Sequence, residues 1–358
     1  MRWVHLALMG AAVGLACGCG GDDDGGGGGG GDGGGLDGGG GGADGGSGGL
    51  AWESVEVLFD DGEVITERVT YRSDGLLVYG QVCRPKTGGP YPVMVYNHGG
   101  FSGLGVDPMS GNCVDSARNG FIWLGSSYRG EDGSEGQIEV CLGEVTDVLT
   151  MIEIGLAQPY SDPDRVAMWG GSHGGCITLR ALQRGAPVQV AIDVFGPTDM
   201  AANYQFWREG VESGSEWAAV HQSLIDTLDT AVGGSPDEYP EEYQARSPLH
   251  FVEDLPEGVP LLVTQGTIDA LVPPDQSCAL GAAVGLESYH LDAAQAEVTT
   301  PPVGCEDSGI TWQPGPRPTD WPGGAYLVVY DDLGHGFDGA AGEAMVGDIL
   351  TFFFAHMP

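Results

Sequence analysis

The chain has 358 residues and carries 51 acidic side chains against 13 Lys and Arg, a formal net charge of −38. Phosphate recognition needs clustered cations, so this balance excludes nucleic acid as a partner and reads as a device for solubility. After the first fifty residues about three hundred remain, enough for one large domain, and no second linker divides them.

Residues 1–19 open with Arg2, continue through the apolar run Val4 to Ala16 and close on Cys17 and Cys19. The run is too short for a membrane span and no stop-transfer segment follows it, so it is expected to be an export signal. Small residues ahead of a cysteine, then Gly and Asp, resemble a bacterial lipoprotein signal with Cys17 or Cys19 as the lipidated residue. Neither cysteine has leucine three residues before it; simple secretion with both cysteines removed is the alternative. Any membrane association is therefore expected through a lipid anchor. Residues 20–49 are glycine with scattered aspartate and cannot bury a core, so they read as a flexible tether. The aspartates show no fixed period, which argues against a calcium-binding repeat.

The domain is expected over residues 50–358. The runs between Val55 and Val82 look antiparallel. Strand-like segments follow at Leu76 to Cys83, Val93 to Tyr96, Phe121 to Tyr128, Val166 to Trp169, Val188 to Val194, Val259 to Thr264 and Ala325 to Tyr330. Helical patterns lie between several of them: Val145, Val148, Leu149 and Ile152 share one face, and Met345 to Phe354 makes an apolar last helix. Apolar strands alternating with helices predict an α/β fold with a mostly parallel sheet covered on both faces. Ala201 to Arg246, rich in Trp, Tyr and Glu, reads as a small helical insertion over the site, with an amphipathic helix at Trp217 to Leu228. Gly285 to Gly324 reads as a second insertion, a polar, Pro-rich loop.

Six cysteines lie past the signal: Cys83, Cys113, Cys141, Cys176, Cys278 and Cys305. An even number in an exported chain predicts three disulfides, and proximity alone suggests Cys113 with Cys141 and Cys278 with Cys305. No C-x-x-C spacing or His/Cys cluster points to a metal, and no cofactor motif is present in the sequence.

Chemistry concentrates at DPDRVAMWGGSHGGCITLRAL, Asp162 to Leu182. A short apolar strand runs into Gly170, Ser172 and Gly174, the pattern G-x-S-x-G, and a helical stretch begins at Cys176. That is the setting of a nucleophile elbow, in which a sharp strand-to-helix turn lifts the serine hydroxyl above the sheet. A free serine is a weak nucleophile at neutral pH; an imidazole must take its proton and a carboxylate must hold that imidazole. Such groups sit at the carboxyl ends of parallel strands. Asp269 follows the strand ending at Thr264, and His335 follows the strand ending at Tyr330, giving the order serine, acid, histidine. Asp275 competes with Asp269 but lies beyond Pro273 and Pro274, where it starts the next helix. His250, His290 and His356 read as surface or packing residues. Backbone donors for the oxyanion are expected from His173, directly after the serine, and from Gly99 or Gly100 in YNHGGF.

SYRGEDGSEG, the helix after it, DPDRVAMWGGSHGG, EEYQARSPL, GTIDALVPPDQS and GHGF together resemble the catalytic domain of the prolyl oligopeptidase family, especially its dipeptidyl-peptidase and acylaminoacyl-peptidase-like branch, over roughly Tyr71 to Pro358. The resemblance implies the α/β-hydrolase fold, with Ser172, Asp269 and His335 as nucleophile, acid and base. It also implies a serine peptidase acting on small peptides. Two departures bear on the substrate. Family peptidases usually carry an N-terminal β-propeller, where this chain has its glycine tether, and His98 stands where several members have a tyrosine donating to the oxyanion, which makes it an oxyanion or pocket contact here. Carboxylesterase activity on small acyl esters is the second expectation. A tethered binding domain without turnover is the reading from a different class, and covalent labelling by a fluorophosphonate separates it from the other two.

Overall fold

The computed structural model describes residues 50–105, 107 and 112–357. The segments expected as an export signal and a tether, and the lipidation candidates Cys17 and Cys19, lie outside the described residues.

Three strands open the domain: β1 (Ser54–Asp60), β2 (Val64–Ser73) and β3 (Leu76–Pro85), an antiparallel meander. The chain then alternates strand and helix through β4 (Tyr91–Asn97), α1 (Cys113–Arg118), β5 (Ile122–Ser126), α2 (Gly143–Leu156), β6 (Ser161–Gly171), α3 (His173–Gln183) and β7 (Val190–Val194). Helices α4 (Met200–Ser213), α5 (Ala218–Val232) and α6 (Pro240–Ala245) follow, across the segment read as a helical insertion. β8 (Leu261–Gly266), α7 (Asp275–Val284), β9 (Glu287–Leu291), β10 (Glu297–Val298), β11 (Ala325–Tyr330) and α8 (Gly339–His356) complete the domain.

All described strands join one sheet in the order β1-β2-β3-β5-β4-β6-β7-β8-β11-β9-β10. From β5 to β9 every neighbour is parallel. The sequence dictates this directly: β5 and β7 are buried at every position, as strands covered on both faces must be. One face packs under α2, α3 and α7, with Val145, Ile152, Ile177, Leu179 and Leu280 in a single cluster with strand residues such as Val95 and Val263. The other face packs under α8 through Met345, Ile349, Phe352 and Phe353 against Ile192, Leu262 and Val328. Burying a ring such as Phe352, which has no exposed surface, contributes about 2 kcal/mol. No helix among the described residues is long and apolar enough to cross a membrane.

The structure corrects the sequence reading in three places. The segment from Gly285 onward does not open as a loop, because β9 is a parallel neighbour of β11 inside the sheet. Its polar residues are buried yet satisfied: Ser288 donates to Leu286 O, and His290 bonds Thr300 O and Asp331. Cys113 pairs with Cys83 rather than Cys141, and Cys141 pairs with Cys176, while Cys278–Cys305 pairs as expected. Cys83 and Cys176 sit on β3 and α3, so folding brings together cysteines that closeness along the chain does not pair. Finally, α3 begins at His173, three residues before the expected start.

Candidate active site

β6 delivers Gly170 and Gly171 to the carboxyl edge of the sheet, and Ser172 turns the chain into α3 with φ 57° and ψ −127°. Positive φ at a residue with a Cβ is strain, of the kind that persists where surrounding structure imposes it. The surroundings here are glycine. A side chain at Gly174 would run into the carbonyl of Asn97, and one at Gly170 into the carbonyl of Gly174. The turn therefore closes onto the end of β4 at backbone contact distance. His173 is the first helical residue, where backbone N–H groups have no partner inside the helix and the helix dipole is positive.

The loop after β4 lies against the serine. A Cβ at Gly99 would sit 3.2 Å from Ser172 Cβ, while Gly100 is tied down by its carbonyl, 3.1 Å from His173 Nδ1. His173 Nε2 accepts from Cys141 N–H at 3.1 Å, so the proton is on Nδ1 and donates to Gly100 O. Burial pushes the His173 imidazole down to about 4, and it is neutral near pH 7. Its side chain thus joins the Gly99–Gly100 loop to the half-cystine at Cys141.

His98 is buried, with its ring stacked 4.0 Å from that of Tyr128, Nδ1 3.1 Å from Gly99 O and Nε2 4.0 Å from Glu131 Oε2. Burial lowers His98 to about 4 and raises Glu131 to about 8. Near pH 7 both are mainly neutral, so this contact is not a salt bridge. Glu131 also accepts from Gly103 N–H and Asp132 from Gly105 N–H, anchoring the far side of the same loop.

Asp269 and His335 come together as expected. His335 Nδ1 lies 2.7 Å from Asp269 Oδ2, and both side chains are buried. Asp269 Oδ1 accepts from Leu271 N–H and Val272 N–H at 2.9 Å each, which leaves Oδ2 for the imidazole. The two loops are stitched by Ile268 N–H to Leu333 O at 3.1 Å and Asp332 N–H to Thr267 Oγ1 at 3.2 Å. His335 Nε2, the nitrogen turned from the carboxylate, is buried without a protein partner. The Phe195 ring lies 4.4 Å from the His335 ring and also borders Gly171, the residue before the serine.

Asp275 begins α7, as expected. His290 is a buried packing residue, and His356 packs on Phe352. Residues that the sequence reading does not single out include Phe195, Glu131 and Gln265, whose amide donates to Val272 O at 3.0 Å behind the acid turn. Their local sequence carries no distinguishing pattern, apart from the place of Glu131 inside SYRGEDGSEG. What the structure supplies chemically is an imidazole oriented by a buried carboxylate, and a serine in strained backbone at the start of a helix, with Phe195 as a shared neighbour of His335 and Gly171.

Comparison with known proteins speaks to the family and the fold. The model of the prolyl oligopeptidase family matches residues 116–291. The uncharacterized peptidase YtmA of Bacillus subtilis is 27% identical over 202 residues, covering 56% of this chain and 72% of that protein. Dipeptidyl peptidase family member 6 of Caenorhabditis elegans is 27% identical over 213 residues, 56% of this chain but 27% of that protein. Among solved structures, Pyrococcus horikoshii acylaminoacyl peptidase superposes with a TM-score of 0.57 at 20% identity, covering 82% of this chain and 42% of its own. Acetyl xylan esterase 1 from Thermoanaerobacterium superposes with a TM-score of 0.56 at 15% identity, covering 83% and 87%. The chain thus spans about two fifths of the length of that peptidase structure, and likeness at these identities speaks to the fold. The protein is a serine hydrolase of α/β-hydrolase fold whose residues 116–291 match the model of the prolyl oligopeptidase family.

Proposed function

We propose that the protein is an exported serine peptidase that cleaves amide bonds of small peptides through an acyl-enzyme. The observation that carries this reading is the 2.7 Å contact between Asp269 and His335, whose other nitrogen is buried and unpartnered, together with the strained backbone of Ser172 at a strand-to-helix turn; the Phe195 ring borders both His335 and Gly171. Ser172 Oγ attacks the carbonyl carbon while His335 Nε2 takes its proton, and Asp269 orients the ring and stabilises the imidazolium. The N–H of His173, with that of Gly99 or Gly100, receives the oxyanion. His335 then gives the proton to the departing amine, and water repeats the sequence to free the acid. His98, stacked behind this loop, acts as a pocket contact. Export is supported by three disulfides, which persist in oxidising compartments, and Cys17 or Cys19 supplies the lipid anchor.

Carboxylesterase activity is the second reading, supported by the superposition on an acetyl xylan esterase over 87% of its length. An alkoxide leaves more readily than an amine, so an ester asks less of the general acid. The test is a parallel assay of aminoacyl p-nitroanilides, N-blocked peptides and short-chain p-nitrophenyl esters on the parent and Ser172→Ala. The expected result is turnover of both classes by the parent and loss of several orders of magnitude in the variant. Ester turnover without peptide turnover would move the assignment to carboxylesterase; activity of Ser172→Ala within tenfold of the parent would remove Ser172 from the mechanism.

A further inference from the structure

Two hydrogen bonds join the helical insertion to the turn that carries Asp269. On α4, Trp207 donates its indole Nε1–H to Leu271 O at 2.7 Å. On α5, His221 Nε2 lies 2.7 Å from Ala270 O, and since a carbonyl only accepts, that nitrogen carries the proton. Its Nδ1 is buried without a partner and packs on Gly210 of α4. Trp207 and His221 are themselves almost fully buried.

The register of these bonds is specific. Leu271 N–H and Val272 N–H, the two donors to Asp269 Oδ1, belong to the peptide groups whose carbonyls are Ala270 O and Leu271 O. Each peptide group that holds the carboxylate is therefore held in turn by one helix of the insertion: His221 through Ala270 O, Trp207 through Leu271 O. Hydrogen bonds in such a chain polarise one another, and a donor fixed at its far end cannot swing away from its acceptor. We infer that Trp207 and His221 are positioning residues for Asp269, so that the helical insertion sets the orientation of the acid and, through it, of His335. This rests on the reading of Asp269 and His335 as the acid and base.

The experiment compares Trp207→Phe, which keeps a ring without the donor, His221→Met, which keeps volume without the donor, and His221→Gln, which keeps an N–H near the Nε2 position. Kinetics on p-nitrophenyl acetate are read with the thermal midpoint and the far-downfield proton resonance of a His Nδ1–H bonded to carboxylate. Trp207→Phe and His221→Met should each lower kcat by about tenfold to a hundredfold with KM little changed, and should move or broaden the downfield resonance. His221→Gln should restore both. Values of kcat within twofold of the parent in both donor-less variants would overturn the inference, as would His221→Gln as impaired as His221→Met with an unmoved resonance. Should those variants not fold, amide exchange in the parent reads the same bonds: Leu271 and Val272 should open together with α4 and α5, and faster, independent exchange would contradict the inference. Asp269→Asn separates this from the reading beneath it. It should cost about four orders of magnitude; if it keeps activity, the acid is wrongly assigned whatever the insertion does.

Discussion

Ser172 is the residue at which folding and chemistry oppose each other. Its φ of 57° is imposed by β6, α3 and the glycines around it. Glycine would adopt that backbone freely, whereas alanine would keep the Cβ that strains it. Ser172→Gly should therefore be inactive yet more stable than Ser172→Ala by about 1 kcal/mol in chemical denaturation, against the usual penalty for glycine. An alanine variant at least as stable as the glycine variant would show that the turn is unstrained. The Ser172 turn and the pairing of Asp269 with His335 were legible in the sequence because each stands beside a motif that backbone geometry requires. Trp207 and His221 were not, because their role depends on which carbonyls two inserted helices reach, and no spacing in the chain encodes that.

Strands and helices were legible where burial is one-sided in composition. β7, VAIDV, reads as a core strand from its letters, whereas β9, ESYHL, hides its burial behind Ser288 and His290, whose polarity is met by hydrogen bonds. The junction of β7 with α3 holds a buried carboxyl that the sequence does not announce. Asp193 packs against Gly175 and Gly196 and accepts one bond, from Gly196 N–H at 3.0 Å, while its Oδ2 is buried without a partner. Burial raises its carboxyl from 3.8 to about 7. Between those values the folded protein keeps a proton that the unfolded chain has lost, so this group's contribution is fully present below about pH 3.8 and declines as pH rises to about 7. Asp193→Asn removes that decline, and its gain in urea midpoint over the parent should grow from pH 4 to neutrality. His98 and His173 titrate alike in parent and variant and cancel in the difference. A gain that is the same at both pH values would contradict this account of Asp193.

At the scale of the whole molecule, one mostly parallel sheet brings three distant parts of the chain to the same edge, and two excursions hold them there. The first, α4 to α6, reaches the acid turn through Trp207 and His221. The second, beyond β9, is pinned by Cys278–Cys305, and its Thr300 O meets His290 of β9, whose other ring nitrogen bonds Asp331 beside the histidine loop at 2.9 Å. The fold class followed from alternation alone. The disulfide partners did not, because Cys83–Cys113 and Cys141–Cys176 depend on how α1 and α3 pack, which the order of cysteines along the chain does not contain. The central claim is that this assembly exists to make Ser172 nucleophilic. It is tested most directly by treating the folded protein with a fluorophosphonate and locating the adduct by peptide mass spectrometry, with Asp269→Asn and His335→Ala alongside. The account predicts a single phosphonyl group on Ser172 in the parent and labelling slowed by orders of magnitude in both variants. An unlabelled Ser172 in folded protein, or equal labelling in all three, would contradict it.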